Sequence, residues 1–272
     1  MSEKRIIFIG AHPDDPDVYF GGTAIKLAKA GHKVKFLSLT NGDRGHHILS
    51  PKEICAVRRK EADKACRLAG LVEYEIFDIH DCHLEVNLEN RKKVMRSLRN
   101  FAPDLVITHR PCDYHPDHRA AAQLVLDCAY ICMVPHFCED TPIPEKSPVF
   151  AHCFDLFRDP RPQRADAAIE FESVMDEKLA LLSCHHSQFF EWLPWISGMK
   201  DFDPGKLDDT ARKEHLMKWM QRFRTAADNG RDILKKVHGA EKGAKICYAE
   251  TFEQSPYSIQ LPQEEFQAML MP

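Results

Sequence analysis

The chain lacks the basic excess that a nucleic-acid partner would demand. Its 37 lysines and arginines are outnumbered by 41 aspartates and glutamates, for a formal charge of -4, so it has no footprint for neutralising a phosphate backbone and nucleic acid is not an expected partner. It also lacks any apolar run long enough to cross a bilayer, and the opening residues MSEKRIIFIGAHPDD turn acidic too soon to form a secretory core. No membrane span is expected, and the cytoplasm is the expected location. The ten cysteines include no CxxC pair, which argues for reduced thiols rather than a disulfide framework. Cys128 and Cys132, four apart on a predicted helix, are a poor zinc site by themselves and read as small core residues. Internal repeats and low-complexity tracts are absent as well.

What is present is an alternation of short apolar strands and amphipathic helices. Arg5 to Gly10 reads as a first strand, Val18 to Ala30 as a helix closed by Gly31, and His32 to Thr40 as a second strand ending in the turn Asn41-Gly42-Asp43. Pro51 to Ala69 is a helix stopped by Gly70, Tyr74 to Ile79 a third strand, Leu88 to Phe101 a helix stopped by Pro103, and Asp104 to His109 a fourth strand. A helix over Ala120 to Cys132 leads into Val134 to Pro148, whose four prolines suggest a long loop or lid. Beyond it the pattern predicts a fifth strand over Val149 to Phe157, a helix over Val174 to Ser183, one or two long helices within Thr210 to Val237 and a last strand over Ala244 to Thr251. The fold class expected is α/β: a Rossmann-like three-layer fold with a mostly parallel twisted sheet of order 3-2-1-4-5 and an elaborated helical C-terminal part. One domain spanning 1–272 is expected, with a core over about 5–190 and an elaboration over about 191–272.

Two stretches each follow a strand and concentrate metal-competent side chains: His12-Pro13-Asp14-Asp15 after the first strand and His115-Pro116-Asp117-His118 after the fourth. In a sheet of that order the first and fourth strands are neighbours, and ligands bind in the crevice at their carboxyl ends. The two segments would therefore meet. Two imidazoles and one carboxylate leave an open position on a metal for a hydrolytic water, and His12, Asp15 and His118 satisfy that count. Proline within each motif stiffens the loop, and Pro116 suits the first position of the helix that follows.

Taken together, AHPDD, TNGD-x-G, an Arg-x-x-Glu helix and DYHPDH, in that order, resemble the PIG-L/LmbE-like N-acetylglucosaminyl deacetylase family over roughly residues 5 to 190. The resemblance implies a metal-dependent hydrolase that removes an acetyl group from an amino-sugar conjugate, with zinc as the default ion and iron(II) or another divalent metal as alternatives. It implies ligands His12, Asp15 and His118, Asp14 as general base, His115 as stabiliser of the tetrahedral intermediate or proton donor to the leaving amine, and Asp117 as the residue orienting His115. It places an arginine near substrate, either Arg58 or its neighbour Arg59, while Asn41, Asp43 and Arg44 are expected to border the crevice from the second strand's turn. The implied partner is a small amino-sugar conjugate, and a homo-oligomer is compatible with the sequence.

Simpler readings accompany these. Asp14 and Asp15 form an acidic turn of the kind that caps helices, Asp117 complements a helix dipole, and Arg58 with Glu61 fits a surface ion pair. The segment His185-His186-Ser187-Gln188 is similar to one the family carries after a helix and is read as structural or as a distal substrate contact. Trp192, Trp195, Phe189 and Phe190 read as core more readily than as a sugar platform. His46, His47, His80 and His83 have no evident partner. Two other functions compete with the deacetylase. One is a non-catalytic Rossmann-like module for a sugar or nucleotide, disfavoured because the first loop lacks GxGxxG and the motifs keep every hydrolytic residue. The other is a two-histidine, one-carboxylate iron oxygenase, disfavoured because its usual β-barrel would need many short strands.

Overall fold

The computed structural model describes residues 3–199 and 201–272. Its organising element is β1 (Arg5–Gly10), in which Ile6 and Phe8 enter one apolar cluster while Ile7 and Ile9 enter another. A strand apolar on both faces is stable only inside a sheet covered on both sides. The cover on the Ile6 side comes from α1 (Asp15–Lys29), α2 (Pro51–Ala69) and α5 (Met175–Cys184), and on the Ile7 side from α3 (Leu88–Phe101) and α4 (Pro116–Ile131), in the stretch of chain where α1 to α4 alternate with the first five strands.

With β2 (Lys33–Ser38), β3 (Glu73–Ile76), β4 (Leu105–Thr108), β5 (Val149–Cys153), β6 (Ala167–Glu170) and β7 (Ala249–Gln254), the seven strands run in the order β3-β2-β1-β4-β5-β7-β6. Strands β1 to β5 are mutually parallel, and β7 is antiparallel to both its neighbours. The expected 3-2-1-4-5 core is present, and the sheet is extended by two strands beyond it. It is an open sheet rather than the barrel of the oxygenase reading.

Local signals set the helix ends. Ser50 and Glu53 form a reciprocal capping box at the start of α2, which ends at Gly70 in the left-handed region. Asn87 caps α3, and the His115 side chain caps α4 just ahead of Pro116.

Three expectations are corrected. The segment Thr210 to Val237 contains three helices, α7 (Asp209–Met220), α8 (Arg222–Asn229) and α9 (Arg231–His238), preceded by the single turn α6 (Leu193–Ile196). The last strand begins at Ala249, because Ala240–Lys245 forms a short helix, α10, and a final helix, α11 (Gln263–Leu270), follows it. The proline-rich segment is not a lid. The buried Arg99 side chain donates to main-chain carbonyls of Ile131, Cys132, Val134, Phe137 and Cys138, and Cys138 packs in the core, so the loop is pinned from below.

The chain's late strand is tied to its early helix through a buried ion pair. Glu250 on β7 accepts from the amides of Gly22 and Thr23 at 3.0 and 2.7 Å and from the fully buried Lys178, which also donates to Val18 O at 3.0 Å. Among the described residues no helix is long and apolar enough to cross a membrane.

Candidate active site

The two histidine-bearing motifs meet at the carboxyl ends of β1 and β4, which lie side by side with Ile9 opposite Thr108. After β1 the chain turns sharply into α1. Gly10 permits this, since a Cβ there would stand 2.6 Å from Asp15 Cβ and 2.8 Å from Pro16 Cδ. The returning Asp15 carboxylate accepts from the amides of Ala11 and His12 at 3.0 and 2.8 Å through Oδ2, so the main chain of the loop fixes the carboxylate.

Around that oxygen three donor atoms form a near-equilateral triangle. His12 Nδ1 lies 3.2 Å and His118 Nε2 3.3 Å from Asp15 Oδ2, and the two nitrogens are 3.2 Å apart. A tetrahedral ion with bonds of about 2.0–2.1 Å has ligand–ligand edges of about 3.3 Å, so the triangle matches one face of such a site. The outward nitrogens are each held by a carboxylate. His12 Nε2 is 2.8 Å from Asp81 Oδ1 and 3.5 Å from Asp117 Oδ2, and His118 Nδ1 is 3.1 Å from Asp113 Oδ2. Carboxylates in these positions hold the ring protons outward and turn both lone pairs inward. Two lone pairs and a carboxylate at this separation repel one another unless a cation lies among them, so the residues fit a divalent metal. Three overlapping sets in this cluster, His12/His115/His118, Asp15/His109/His118 and His12/Asp81/Asp117, also bring their donor atoms within 4.8 Å of one another.

The electrostatics agree. Burial works against a charged His12 and His118, yet Asp81 and Asp15 raise His12 well above its usual range, and Asp15 with Asp113 pushes His118 up to about 9. Burial likewise opposes an ionised Asp15, but His118, His109 and His12 hold it well below the carboxylate range. The pocket is built to accommodate positive charge.

Asp14 stands at the start of α1 with its side chain free of any capping bond and faces Arg58 Nη1 at 3.2 Å. Burial raises its pKa in spite of that guanidinium, with the Asp15 charge adding to the rise. Arg58, on α2, also donates to Gly45 O at 3.2 Å and to the Gln188 side chain. Its neighbour Arg59 points away to Ile76 O. The geometry thereby separates the two arginines, and it gives Arg58 the work of holding Asp14, the loop at Gly45 and the helical turn that bears Gln188. Glu61 is not its ion-pair partner; it is buried and accepts from the Ser187 amide and hydroxyl at 2.8 and 2.7 Å.

His115 caps α4 by accepting the Asp117 amide at 3.2 Å on Nδ1, which leaves its ring proton on Nε2. Burial and the neighbouring His12 and His118 lower its pKa. The expectation that Asp117 orients His115 is corrected in its atoms: the contact is through the Asp117 main chain, while the carboxylate accepts from the Cys82 amide at 2.7 Å. Of the turn residues, Arg44 lines the cleft, but Asn41 and Asp43 stand behind its wall. The Asp43 carboxylate binds His80 Nδ1 at 2.6 Å and the Asp81 amide at 3.0 Å, so it carries the loop that presents Asp81.

The cleft encloses about 390 Å³, and Tyr114, Gln188, Trp192, Trp219 and Arg222 complete its walls. Gln188 and Trp192 come from a π-helix over Ser187–Trp192, a wide turn frequent at functional sites. His185, just before it, is buried against Asp17 Oδ2 at 3.1 Å, and that carboxylate also receives the Tyr74 hydroxyl at 2.8 Å, which makes His185 a structural residue. Trp195 lies outside the cleft, stacked on His47 with centroids 4.8 Å apart.

Sequence reasoning missed Asp81, Asp113 and His109. His109 Nε2 is 3.3 Å from Asp15 Oδ2, and its ring stacks on His118 at 4.2 Å. The available signal was position: each follows the end of β3 or β4, on the same side of the sheet as the motifs.

Several known proteins resemble this chain. The family described as GlcNAc-PI de-N-acetylase (PIG-L) matches residues 7–129. A diacetylchitobiose deacetylase of Thermococcus kodakarensis is 28% identical over 203 residues, covering 71% of this chain and 75% of the relative. A probable N-acetyl-alpha-D-glucosaminyl L-malate deacetylase 2 of Bacillus anthracis is 25% identical over 198 residues, 69% and 83% of the two chains. Among solved structures, N,N'-diacetylchitobiose deacetylase from Pyrococcus horikoshii superposes with a TM-score of 0.71 at 24% identity, over 93% of this chain and 84% of that one, which establishes the shared fold.

Proposed function

We propose, for a chain that belongs to the PIG-L/LmbE-like family of deacetylases, that this cleft hydrolyses the acetamide of an N-acetylglucosamine-type conjugate with the help of a divalent ion, zinc by default. The observation that carries the reading is the triangle of His12 Nδ1, Asp15 Oδ2 and His118 Nε2, all within 3.3 Å of one another and each held from behind. These three residues would hold the ion. When bound, it supplies a water of lowered pKa and a Lewis acid for the amide carbonyl.

The remaining chemistry falls to the chain's own side chains. Asp14, adjacent to the metal-binding Asp15 and steered by Arg58, accepts the proton of the attacking water. Burial raises its proton affinity above that of an ordinary carboxylate, in the direction a general base needs. His115 presents Nε2–H as a hydrogen bond to the reacting carbonyl oxygen, because its Nδ1 is engaged by the Asp117 amide, and the proton that Asp14 took from the water passes on to the departing amine. Asp81 and Asp113, with Asp117 farther off, face the outward nitrogens of His12 and His118 and favour the tautomers that turn the other nitrogens inward. The cleft walls restrict water, and Trp192 and Tyr114 offer ring faces beside the reacting centre.

The test is acetate release from a panel of N-acetylglucosamine conjugates by protein loaded separately with zinc, iron(II), manganese or cobalt. Turnover is expected only in metal-loaded protein and should cease on chelation. Chelator-insensitive hydrolysis would overturn the proposal.

A further inference from the structure

Tyr19 presents to the cleft a hydroxyl that is held but not satisfied. The residue lies one turn after Asp15 on α1, and side chains four apart share a helix face, so its half-buried ring enters the cleft wall beside the triangle of His12, Asp15 and His118. The ring packs edge-on against His109 with centroids 5.6 Å apart, and His109 Nε2 is 3.3 Å from Asp15 Oδ2. Tyr19 therefore stands one ring away from the triangle on the side of β4, whereas Asp14 and Arg58 stand on the side of α2.

Counting protons shows what is left over. The Tyr19 oxygen accepts from Arg222 Nη1 at 3.1 Å. A guanidinium only donates, so this bond occupies a lone pair of the oxygen and leaves the phenolic proton free. Among the described residues no acceptor takes that proton, and the Tyr19 oxygen is the one hydrogen-bond partner of the Arg222 guanidinium. Burial holds the phenol well above its ordinary pKa, so the proton stays on the oxygen. The Arg222 guanidinium carbon lies 5.7 Å from the ring centroids of both Tyr19 and Trp219, which hold the fork between two rings of the cleft wall. The result is a donor with an anchored oxygen and an unpaired hydrogen. Leaving such a group unpaired in a part-buried wall costs free energy, which an oxygen acceptor on a ligand recovers.

A phenol donates to a neutral oxygen without needing a counter-charge. In a conjugate bound by its acetamide at the triangle, the nearest such oxygens outside the amide are the hydroxyls of the sugar ring. Resting on the amidohydrolase reading of the cleft, we propose that Tyr19 is a specificity-determining residue whose hydroxyl donates a hydrogen bond to a ring hydroxyl of the amino sugar, with Arg222 as its positioning residue. Arg222 acts through Tyr19: by occupying one lone pair of the oxygen it limits the directions left to the hydrogen. A sugar without the matching hydroxyl loses the bond and leaves the donor unpaired in the wall.

The experiment uses methyl glucosaminide and its 3-deoxy, 4-deoxy and 6-deoxy analogues, which carry no acetyl group, so binding is read apart from turnover. Titration calorimetry on the full, zinc-loaded chain compares the parent with Tyr19→Phe, which keeps the ring, and with Arg222→Gln; a melting curve for each confirms that it folds. The parent should bind methyl glucosaminide about three- to tenfold tighter than one of the deoxy analogues. Tyr19→Phe should lose that same factor for methyl glucosaminide and bind the deoxy analogue within about twofold of the parent, and the analogue that behaves so identifies the hydroxyl. Arg222→Gln should reduce the discrimination, and should change it by less than about twofold when added to Tyr19→Phe. With an acetylated conjugate, Tyr19→Phe should raise KM more than it lowers kcat. Equal weakening of all four ligands by Tyr19→Phe, no weakening of any, or a parent that binds none of them overturns the inference. So does a loss confined to kcat, which would move the hydroxyl to the reacting carbonyl. Failure of the amidohydrolase reading would appear separately, as no acetate released from any acetylated conjugate while the discrimination among the deoxy ligands stands.

Discussion

Removing the carboxylates behind the two histidines proposed to bind the metal should weaken metal binding unequally, and the distances say in which order. Among the described residues His118 Nδ1 has a single carboxylate in contact, Asp113 at 3.1 Å, whereas His12 Nε2 has Asp81 at 2.8 Å and Asp117 in reserve at 3.5 Å. Losing such a partner typically costs about tenfold to a hundredfold in affinity, or about 1.4 to 2.7 kcal/mol. Asp113→Ala should approach the upper end, because its histidine is then free to rotate and to take the wrong tautomer. Asp81→Ala should stay near the lower end, because Asp117 can receive the same ring proton, and Asp81→Ala/Asp117→Ala should restore the larger loss. Apoprotein titrated with zinc against a chromophoric chelator at fixed pH gives these affinities directly, with a melting curve for each variant to confirm that it folds. A zinc affinity for Asp113→Ala within threefold of the parent, or a larger loss for Asp81→Ala than for Asp113→Ala, would refute the assignment of metal-facing nitrogens on which the site rests.

Asp14→Asn should keep its full metal content while kcat for acetate release falls by about 10² to 10⁴; turnover within threefold of the parent would remove Asp14 from the role of base. Arg58→Lys keeps the charge but cannot span Asp14, Gly45 O and Gln188 together. Its kcat should drop about tenfold to a hundredfold with KM little changed, and a change confined to KM would instead make Arg58 a substrate contact. Glu250→Gln strands the fully buried Lys178 without a counter-charge, so urea unfolding should report a loss of about 3–5 kcal/mol; a loss below about 1 kcal/mol would mean that the pair contributes little to joining β7 to α1.

The parts of the fold written most clearly in the sequence are those decided locally. The bounds expected for β1, α2 and α3 are those observed, because an uninterrupted apolar run, a proline or asparagine start and a glycine or proline stop leave little to tertiary context. The C-terminal third was less legible for a physical reason: β6 is a four-residue strand, AAIE, and gains its place only by pairing with β7, some eighty residues later. The π-helix has no periodic signature, and its shape follows from Gln188 reaching Arg58 while Ser187 is held by Glu61. In the site, histidines and aspartates that follow strands in dense motifs were evident. Asp81 was not, since its neighbours His80, Cys82 and His83 form no motif and its importance comes from the Asp43 carboxylate that holds its amide. Asp113 lay inside a recognised motif, but nothing in its sequence neighbourhood says that it faces the back of His118.

Gly10 shows how little clearance this centre has. With a methyl group at that position 2.6 Å from Asp15 Cβ, the carboxylate could not return over the strand end, and the two amides that fix it would lose their acceptor. The motif's chemistry is therefore conditional on the residue before it: the letters AHPDD grafted after a strand ending in any larger residue would keep their ligand types and lose the triangle. A search for such centres in unrelated sheets, or an attempt to build one, should begin with the empty place at the end of the strand and only then ask for the histidine and the aspartates.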